Sequence, residues 1–206
     1  MAKTKARARR KKPTYKGRRI LHFVRHGQYQ FEGDWGVRGG PLTPVGRRQA
    51  AAVAKYLARF PVARLHSSDS HRARETAEII SGALDGMKTR VSPLLREAMV
   101  APVPVWPRKW QWDAKQSRRA RRHFRKIMDR YMKPARSTIQ EVVVCHGNLI
   151  RSLVMLALDA EPLGAWTRID TYNCAVTSIA VNGNGTCQLM TVNERGFLPW
   201  KLRTST

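Results

Sequence analysis

Two short, mostly apolar runs of this chain each end in a histidine followed by glycine. Residues 20–24 lead through Arg25 to His26, and residues 141–145 lead to His146. Runs of this length are typical of buried strands, and open α/β sheets bind ligands at the carboxyl ends of their strands. For either histidine alone, a structural role at a strand end is an equal alternative. The repetition favours a shared site, so we expect both imidazoles at one sheet edge, close enough to contact the same group.

Strands and helices alternate along the rest of the chain. Further strands are predicted at 63–66 and 89–92. Helices are predicted after the cap residue Thr43, after Ser68 or Ser70, over 114–132 and over 148–158, and the Asn-Gly-Asn-Gly sequence predicts a C-terminal hairpin around 182–185. This alternation predicts an α/β fold, a three-layer α/β/α sandwich with a mostly parallel sheet and helices on both faces.

Part of the net charge of +25 lies in the N-terminal segment. Residues 1–18 are basic and poor in apolar side chains, which predicts a disordered tail ahead of one domain at 19–206. A solvated tail, an anion-binding segment, a nuclear address and a mitochondrial transit peptide are the alternatives for it. Beyond residue 19, 29 basic residues still face 14 acidic ones, so the domain attracts anions as well.

The sequence argues against a membrane-spanning protein and against a protein stabilised by disulfides. No apolar run approaches the ~20 residues of a membrane-spanning helix, and no apolar signal segment follows the basic N-terminus. The three cysteines, Cys145, Cys174 and Cys187, show neither metal-site spacing nor the even number of a disulfide framework. We expect reduced thiols and an intracellular protein, in the cytoplasm first, with the mitochondrion as the alternative.

Two segments could contact a partner or cover a site. The predicted helix within 115–133 carries eight basic residues and one acid from Lys115 to Tyr131. Such a face is usually just solvated, and an anionic partner is the alternative that this excess of charge supports. The preceding segment, 100–113, holds three prolines and three tryptophans and is expected to lack regular structure. A lid over the site and plain surface packing are equal alternatives for it.

The remaining candidate side chains suit phosphoryl transfer. Arg72 lies in the first turn of a predicted helix, beside its partly positive end, and Glu97 follows the third strand. A histidine nucleophile needs cations around the phosphoryl oxygens, and guanidinium groups such as that of Arg25 meet two oxygens at once. One carboxylic acid, with a pKa raised by burial, could protonate the leaving oxygen and then activate water.

Five motifs in order resemble the histidine phosphatase superfamily, also called phosphoglycerate mutase-like, over residues 19 to about 200. They are VRHGQ at 24–28, LTPVGRRQA at 42–50, SSDSHRARETA at 67–77, LLREA at 94–98 and CHGNLIR at 145–151. Within the superfamily, these motifs and the late VNERGFLP sequence are most similar to the branch with the mitochondrial serine/threonine-protein phosphatase.

The resemblance implies a role for each candidate without any metal or cofactor. It implies that His26 is the phosphorylated nucleophile, that Arg25, Arg72 and His146 bind the phosphate, that Gln28 is a polar neighbour of it, and that Glu97 is the general acid and base. The motif that follows the first histidine in true mutases contains an asparagine, and this chain has Glu32 near that position instead. The membrane anchor of the mitochondrial branch is not expected.

Three functions follow from these residues. The first is a phosphatase, a hydrolase that acts on small phosphomonoesters or on phosphoserine and phosphothreonine proteins through phosphohistidine. The second is a mutase that retains its phosphohistidine and depends on a bisphosphorylated primer. The third is a catalytically idle domain that binds nucleic acid or an acidic protein. A homo-oligomer is a further expectation for this chain.

Overall fold

The computed structural model describes residues 16–31, 39–103, 107–161 and 165–205. Residues 1–15 of the predicted tail, Glu32 and residues 104–106 of the Pro/Trp-rich segment lie outside the described residues. The boundary between a tail and one domain at residue 19 therefore stays a prediction.

Six strands form one sheet in the order β3-β2-β4-β1-β5-β6. The strands are β1 (Arg19–Arg25), β2 (Val62–Ser67), β3 (Thr89–Val91), β4 (Ile139–Cys145), β5 (Val176–Val181) and β6 (Cys187–Glu194). The first four pair in parallel, while β5 is antiparallel to β1 and to β6. The predicted mostly parallel sheet and the C-terminal hairpin are confirmed.

Helices cover both faces of this sheet. They are α1 (Pro44–Leu57), α2 (His71–Ala83), α3 (Ala114–Tyr131), α4 (Gly147–Ala157) and the short α5 (Ala165–Arg168). Single 3₁₀ turns form at Pro93–Leu95, Arg108–Trp110 and Trp200–Leu202. The expectation of no regular structure in 100–113 is wrong at the second turn, because the prolines end at Pro107 and leave the following amides free to bond. Within the described ranges, no helix combines the length and the apolar character needed to cross a bilayer.

Strand alternation separates two cores, one on each face. Leu21 and Phe23 of β1 point to the side covered by α3 and α4, whereas Val24 points to the side covered by α1 and α2. The buried faces of α1 and α2 carry small residues, and these two helices pack closely against each other. The hydroxyl of Thr43 caps α1 by accepting from the amide of Gly46, as predicted. The α/β/α sandwich expected from the sequence is confirmed.

One buried acid organises charges between neighbouring strands. The carboxylate of Glu141 on β4 is 1% exposed and accepts hydrogen bonds from Arg64 Nη1 at 2.8 Å and His66 Nε2 at 3.2 Å, with Arg19 Nε at 4.0 Å. Burial alone would raise the pKa of Glu141, but the hydrogen bond from His66 and the surrounding positive charges outweigh it and lower the pKa. The charged form therefore stabilises the fold.

We expect Glu141→Gln to lower the free energy of unfolding at pH 7 by about 2 kcal/mol, because it removes the charged acceptor of the hydrogen bonds from Arg64 and His66. Since the folded-state pKa lies below the unfolded one, this stabilisation is complete above about pH 5 and is lost as the pH falls through the folded-state value. Urea unfolding of both proteins between pH 7 and pH 3 should show the gap closing in acid. The exposed Glu78 on α2, changed to Gln, is the control; equal losses in the two variants would contradict the prediction.

Candidate active site

A pocket of about 430 Å³ opens at the carboxyl edge of the parallel strands. The residues that line it, here the catalytic pocket, are Arg25, His26, Tyr29, Arg72, Glu97, Gly147, Asn148, Arg151, Trp166, Asp170 and Ser205. Parallel pairing explains its position, because Arg25 at the end of β1 is in register with Cys145 at the end of β4. The residues that follow these two strands are the two predicted histidines, and their ring centroids are 5.1 Å apart. The structure thus places both rings at the same sheet edge.

Hydrogen bonds hold His26 in one tautomer. The side chain is 2% exposed, and its Nδ1 lies 2.9 Å from the carbonyl oxygen of Gly27, which can only accept. Its Nε2 receives a hydrogen bond of 3.1 Å from Arg72 Nε, and a guanidinium can only donate. The proton therefore lies on Nδ1, and the lone pair of Nε2 faces the guanidinium. This is the nitrogen that could attack a phosphoryl group.

The same arginine reaches the second histidine. Arg72 Nη2 lies 3.3 Å from His146 Nδ1, so this nitrogen accepts and the proton lies on Nε2. That Nε2 lies 3.0 Å from the hydroxyl of Ser68 and 3.4 Å from that of Ser70. Ser70 sits at the start of α2, yet its hydroxyl forms no cap bond with the helix and faces His146 instead. The SSDS sequence thus supplies hydroxyls that orient the second ring.

Both rings are neutral at pH 7 in this arrangement. Burial lowers the pKa of His26 well below its usual range, and the nearby His146, Arg25 and Arg72 lower it further. Burial also lowers the pKa of His146 well below the usual range, with Arg72 and Arg25 adding to the effect. A neutral His26 has the free electron pair that a nucleophile needs.

Glu97 reaches the pocket from the loop after β3. Its Oε1 accepts from the backbone amides of Asn148 at 3.1 Å and Leu149 at 3.3 Å, at the start of α4. Although part of the residue is exposed, protein surrounds the carboxyl group closely enough that loss of hydration raises its pKa. Arg25, Arg72 and the two amides lower the pKa and only partly offset this effect. The direction is the one that a general acid requires.

Arg25 also faces the pocket, whereas the side chain of Gln28 bonds elsewhere. Arg25 Nη1 donates to the carbonyl oxygen of Thr171 at 2.6 Å, which fixes the guanidinium beside α4. A Cβ added to Gly147 would lie 2.8 Å from Thr171 Oγ1, so glycine at this position allows Thr171 to lie close to the start of α4. The amide oxygen of Gln28 accepts from Thr43 Oγ1 at 2.8 Å, at the cap of α1. Gln28 is not among the residues that line the catalytic pocket, and its predicted role stays untested.

Sequence reasoning missed most of the outer wall. Arg151 donates to the carbonyl oxygen of Ile169 at 2.7 Å and lies 5.3 Å from the ring centroid of Trp166 on α5. The ring of Tyr29 contacts His26 edge-on at 5.3 Å, and Arg72 lies over it at 4.7 Å. Both Tyr29 and Arg151 belong to or adjoin motifs quoted above, which was the available signal; Trp166 had none. Among the described residues, no group of three or more His, Cys, Asp or Glu side chains is arranged to hold a metal ion.

Comparison with known proteins identifies the family. The model of the histidine phosphatase superfamily (branch 1) matches residues 21–195. A relative from Xenopus tropicalis, the serine/threonine-protein phosphatase PGAM5, mitochondrial, is 32% identical over 191 residues, which cover 89% of this chain and 67% of the relative. The Homo sapiens protein of that name is also 32% identical, with 65% of its length covered. The chain thus spans about two thirds of the length of these relatives.

Solved structures share the fold. Bacillus stearothermophilus YhfR has a TM-score of 0.68 at 23% identity, with 88% of this chain and 100% of that chain covered. A phosphoglycerate mutase from Plasmodium falciparum has a TM-score of 0.60 at 25% identity, with 89% and 96% covered. The predicted resemblance, fold class and phosphatase character are confirmed by these matches together with the family model. The chain belongs to branch 1 of the histidine phosphatase superfamily.

Proposed function

We propose that the chain hydrolyses phosphomonoesters through a phosphohistidine formed on His26. The observation that carries this proposal is the bond between Arg72 Nε and His26 Nε2, since it points a neutral nitrogen lone pair at the group best suited to hold a phosphoryl oxygen. Arg25 and His146 adjoin the same space. The arrangement therefore concentrates a nucleophile and three oxygen-binding groups around one position.

In the first step, the phosphate replaces the direct bonds between Arg72 and the two rings. His26 Nε2 attacks phosphorus, the bond from phosphorus to the ester oxygen breaks, and Glu97 gives its proton to that oxygen. Arg25 and Arg72 carry the negative charge on the remaining oxygens, where fixed donors stabilise the transition state without rearrangement. The phosphoryl dianion also favours a protonated His146, which can then donate from both ring nitrogens.

The second step returns the enzyme to its starting state. Glu97, now ionised, takes a proton from water, and the oxygen of that water attacks phosphorus. The bond between phosphorus and Nε2 breaks, inorganic phosphate leaves, and the electron pair returns to His26. One carboxyl group serves as acid and then as base, and its raised pKa favours the first of these roles.

For the substrate, we infer a phosphorylated protein, with small phosphomonoesters as the alternative. The relatives described above are named serine/threonine-protein phosphatases, and the pocket is open enough at Trp166 and Arg151 to receive a side chain. Those names also support the mitochondrial location over the cytoplasmic one. An anionic partner for the tail and the 115–133 segment, and a homo-oligomer, remain predictions.

Replacing the nucleophile should abolish turnover. We expect His26→Ala to hydrolyse neither p-nitrophenyl phosphate nor a phosphoserine peptide, with the thermal midpoint nearly unchanged because the ring lies outside the two apolar cores. The acid-labile phosphoenzyme that wild type forms with radiolabelled substrate should be absent. The exposed His71, changed to Ala, serves as control. A phosphoenzyme in the His26 variant would show that another residue is phosphorylated. A wild-type phosphoenzyme that is stable and depends on a bisphosphorylated primer would indicate a mutase and contradict the phosphatase proposal.

Arg72 should matter mainly to the transition state. Arg72→Ala is expected to lower kcat/KM more than a hundredfold, because it removes a positioned donor to the oxygens of the transferred phosphoryl group. This corresponds to a loss of about 3 kcal/mol of transition-state stabilisation. Arg72→Lys should recover only a small part, because an ammonium group lacks the planar fork that meets two phosphoryl oxygens at once. Arg74→Ala, two residues further along α2 and exposed, is the matched control. Equal kcat/KM for the Arg72 and Arg74 alanine variants would place the phosphate elsewhere.

The effect of replacing Glu97 should be larger when the leaving group is more basic. Glu97→Gln is expected to slow phosphohistidine formation strongly with a phosphoserine peptide and little with p-nitrophenyl phosphate, whose phenolate leaves without a proton. Because a raised pKa keeps Glu97 protonated to higher pH, the wild-type rate with the peptide should fall as the pH rises through that pKa, and the variant should lack this fall. Rapid-quench bursts measure both effects.

Equal loss of the burst with the two substrates would show that Glu97 is not the acid. Glu32 and Asp34, which lie outside the described residues, would then be the next carboxylates to replace.

A further inference from the structure

A second depression adjoins the catalytic pocket. It has a volume of about 510 Å³ and lies between the loop that follows β3 and the N-terminal half of α3. We call it the side groove; its lining includes Glu97, Met99, Trp112, Gln116, Arg119 and Ala120. Glu97 also lines the catalytic pocket, so the two depressions share the proposed proton donor as part of their walls. A substrate whose leaving group continues past Glu97 therefore enters the side groove.

A third depression continues the path onto the outer face of α3. It has a volume of about 330 Å³, and we call it the basic patch; it is lined by Lys115, Arg118, Arg119 and Arg122. Arg119 lines both the side groove and the basic patch, so the two depressions are neighbours along α3. Within the part of the chain that the structure describes, none of these four side chains forms an ion pair. Their positive charge is thus available to a bound anion.

The helix under this path is fixed at its start. Asp113 accepts from the amide of Gln116 at 2.6 Å, and the side chain of Gln116 accepts from the amide of Asp113 at 2.8 Å, which completes a capping box. Phe124 and Ile127 anchor the opposite face of α3 in the core. The basic patch therefore sits on a preformed surface, so binding loses little free energy to ordering the helix itself.

The dimensions of the patch suit a peptide in extended conformation. Seven residues separate Lys115 from Arg122, which at a helix rise of 1.5 Å is about 10 Å. An extended chain advances about 3.3 Å per residue, so the patch matches roughly three successive residues. The catalytic pocket, of about 430 Å³, holds a phosphorylated side chain but not this further segment. A small phosphomonoester would leave the side groove and the basic patch empty.

We propose that the side groove and the basic patch bind an acidic segment of the substrate polypeptide next to the phosphorylated residue. This inference rests on the proposed phosphatase function and narrows its substrate to phosphoproteins with Asp or Glu near the phosphorylation site. The side groove receives the residues closest to the phosphoserine or phosphothreonine, against Met99 and Trp112. The acidic side chains then face Lys115, Arg118, Arg119 and Arg122. Opposite charges at this exposed surface contribute mainly to capture of the substrate.

The test uses two peptides and two charge-matched double variants. The peptides share one phosphoserine and carry on both sides either Asp and Glu or the corresponding Asn and Gln. The first variant, Arg119→Gln with Arg122→Gln, removes two charges from the basic patch. The second, Arg121→Gln with Arg125→Gln, removes two exposed charges from the same helix but outside both depressions. Each kcat/KM is divided by that of the same protein with p-nitrophenyl phosphate, at two salt concentrations.

Wild type should prefer the acidic peptide, and the preference should fall about fivefold to tenfold in the first variant, as expected for two exposed charge contacts. The second variant should keep more than half of the wild-type preference. Most of the loss should be in KM, because the patch lies away from the reacting atoms. Equal losses in the two variants would show that only net charge matters and would overturn the proposal.

Failure of this inference can be told apart from failure of the proposed function. Wild type that hydrolyses p-nitrophenyl phosphate through His26 yet treats both peptides alike retains the phosphatase function and lacks the acidic preference. Wild type with no turnover of any phosphomonoester overturns both. An RNA oligonucleotide that inhibits peptide hydrolysis in wild type and not in the Arg119/Arg122 variant, without a preference between the peptides, assigns the patch to nucleic acid and overturns the proposal.

Discussion

Parallel pairing of β1 with β4 is the constraint on which the site depends. The amide of His26 donates to the carbonyl oxygen of Cys145 at 3.0 Å, so the first residue beyond β1 is tied to the last residue of β4. A shift of one residue in this register would turn His26 or His146 away from the other ring, because side chains alternate along a strand. The apolar residues that fix the register are Phe23 and Val143 on one face and Val24 on the other. The cores that stabilise the fold thus also set the distance between the histidines.

Arg72 converts this proximity into a defined chemical state. Because a guanidinium only donates, its bonds to both rings require an unprotonated nitrogen on each, Nε2 of His26 and Nδ1 of His146. Neutral rings beside Arg25 and Arg72 avoid the repulsion between like charges that protonation would cause. The free pocket therefore keeps the proposed nucleophile unprotonated, and its excess positive charge suits the phosphate dianion proposed to bind there. Binding and activation of the nucleophile have the same electrostatic origin.

The sequence predicted the elements that local patterns determine. Apolar runs, the Thr43 cap and the motifs around His26, Arg72 and His146 were enough for the strands, the helix starts and the inner pocket. The sequence did not predict side-chain contacts between segments that lie far apart along the chain. The bond of Gln28 to Thr43 and the approach of Trp166 to Arg151 depend on loop paths that no periodicity describes. Ser70 was predicted as one of two helix caps, but its hydroxyl faces His146 because α2 begins beside the site.

Glu97 joins the two halves of the proposed substrate site. Its carboxyl group accepts from the amides of Asn148 and Leu149, and the residue lines both the catalytic pocket and the side groove. A peptide in the side groove would remove water from this carboxyl group, and the phosphate would screen it from Arg25 and Arg72. Both changes raise the pKa of Glu97 further, so the proton is held most firmly when the leaving oxygen is in place. A small ester produces only the second change. If Glu97 is the acid, the proposed phosphoprotein substrate would therefore gain selectivity in the proton transfer as well as in binding.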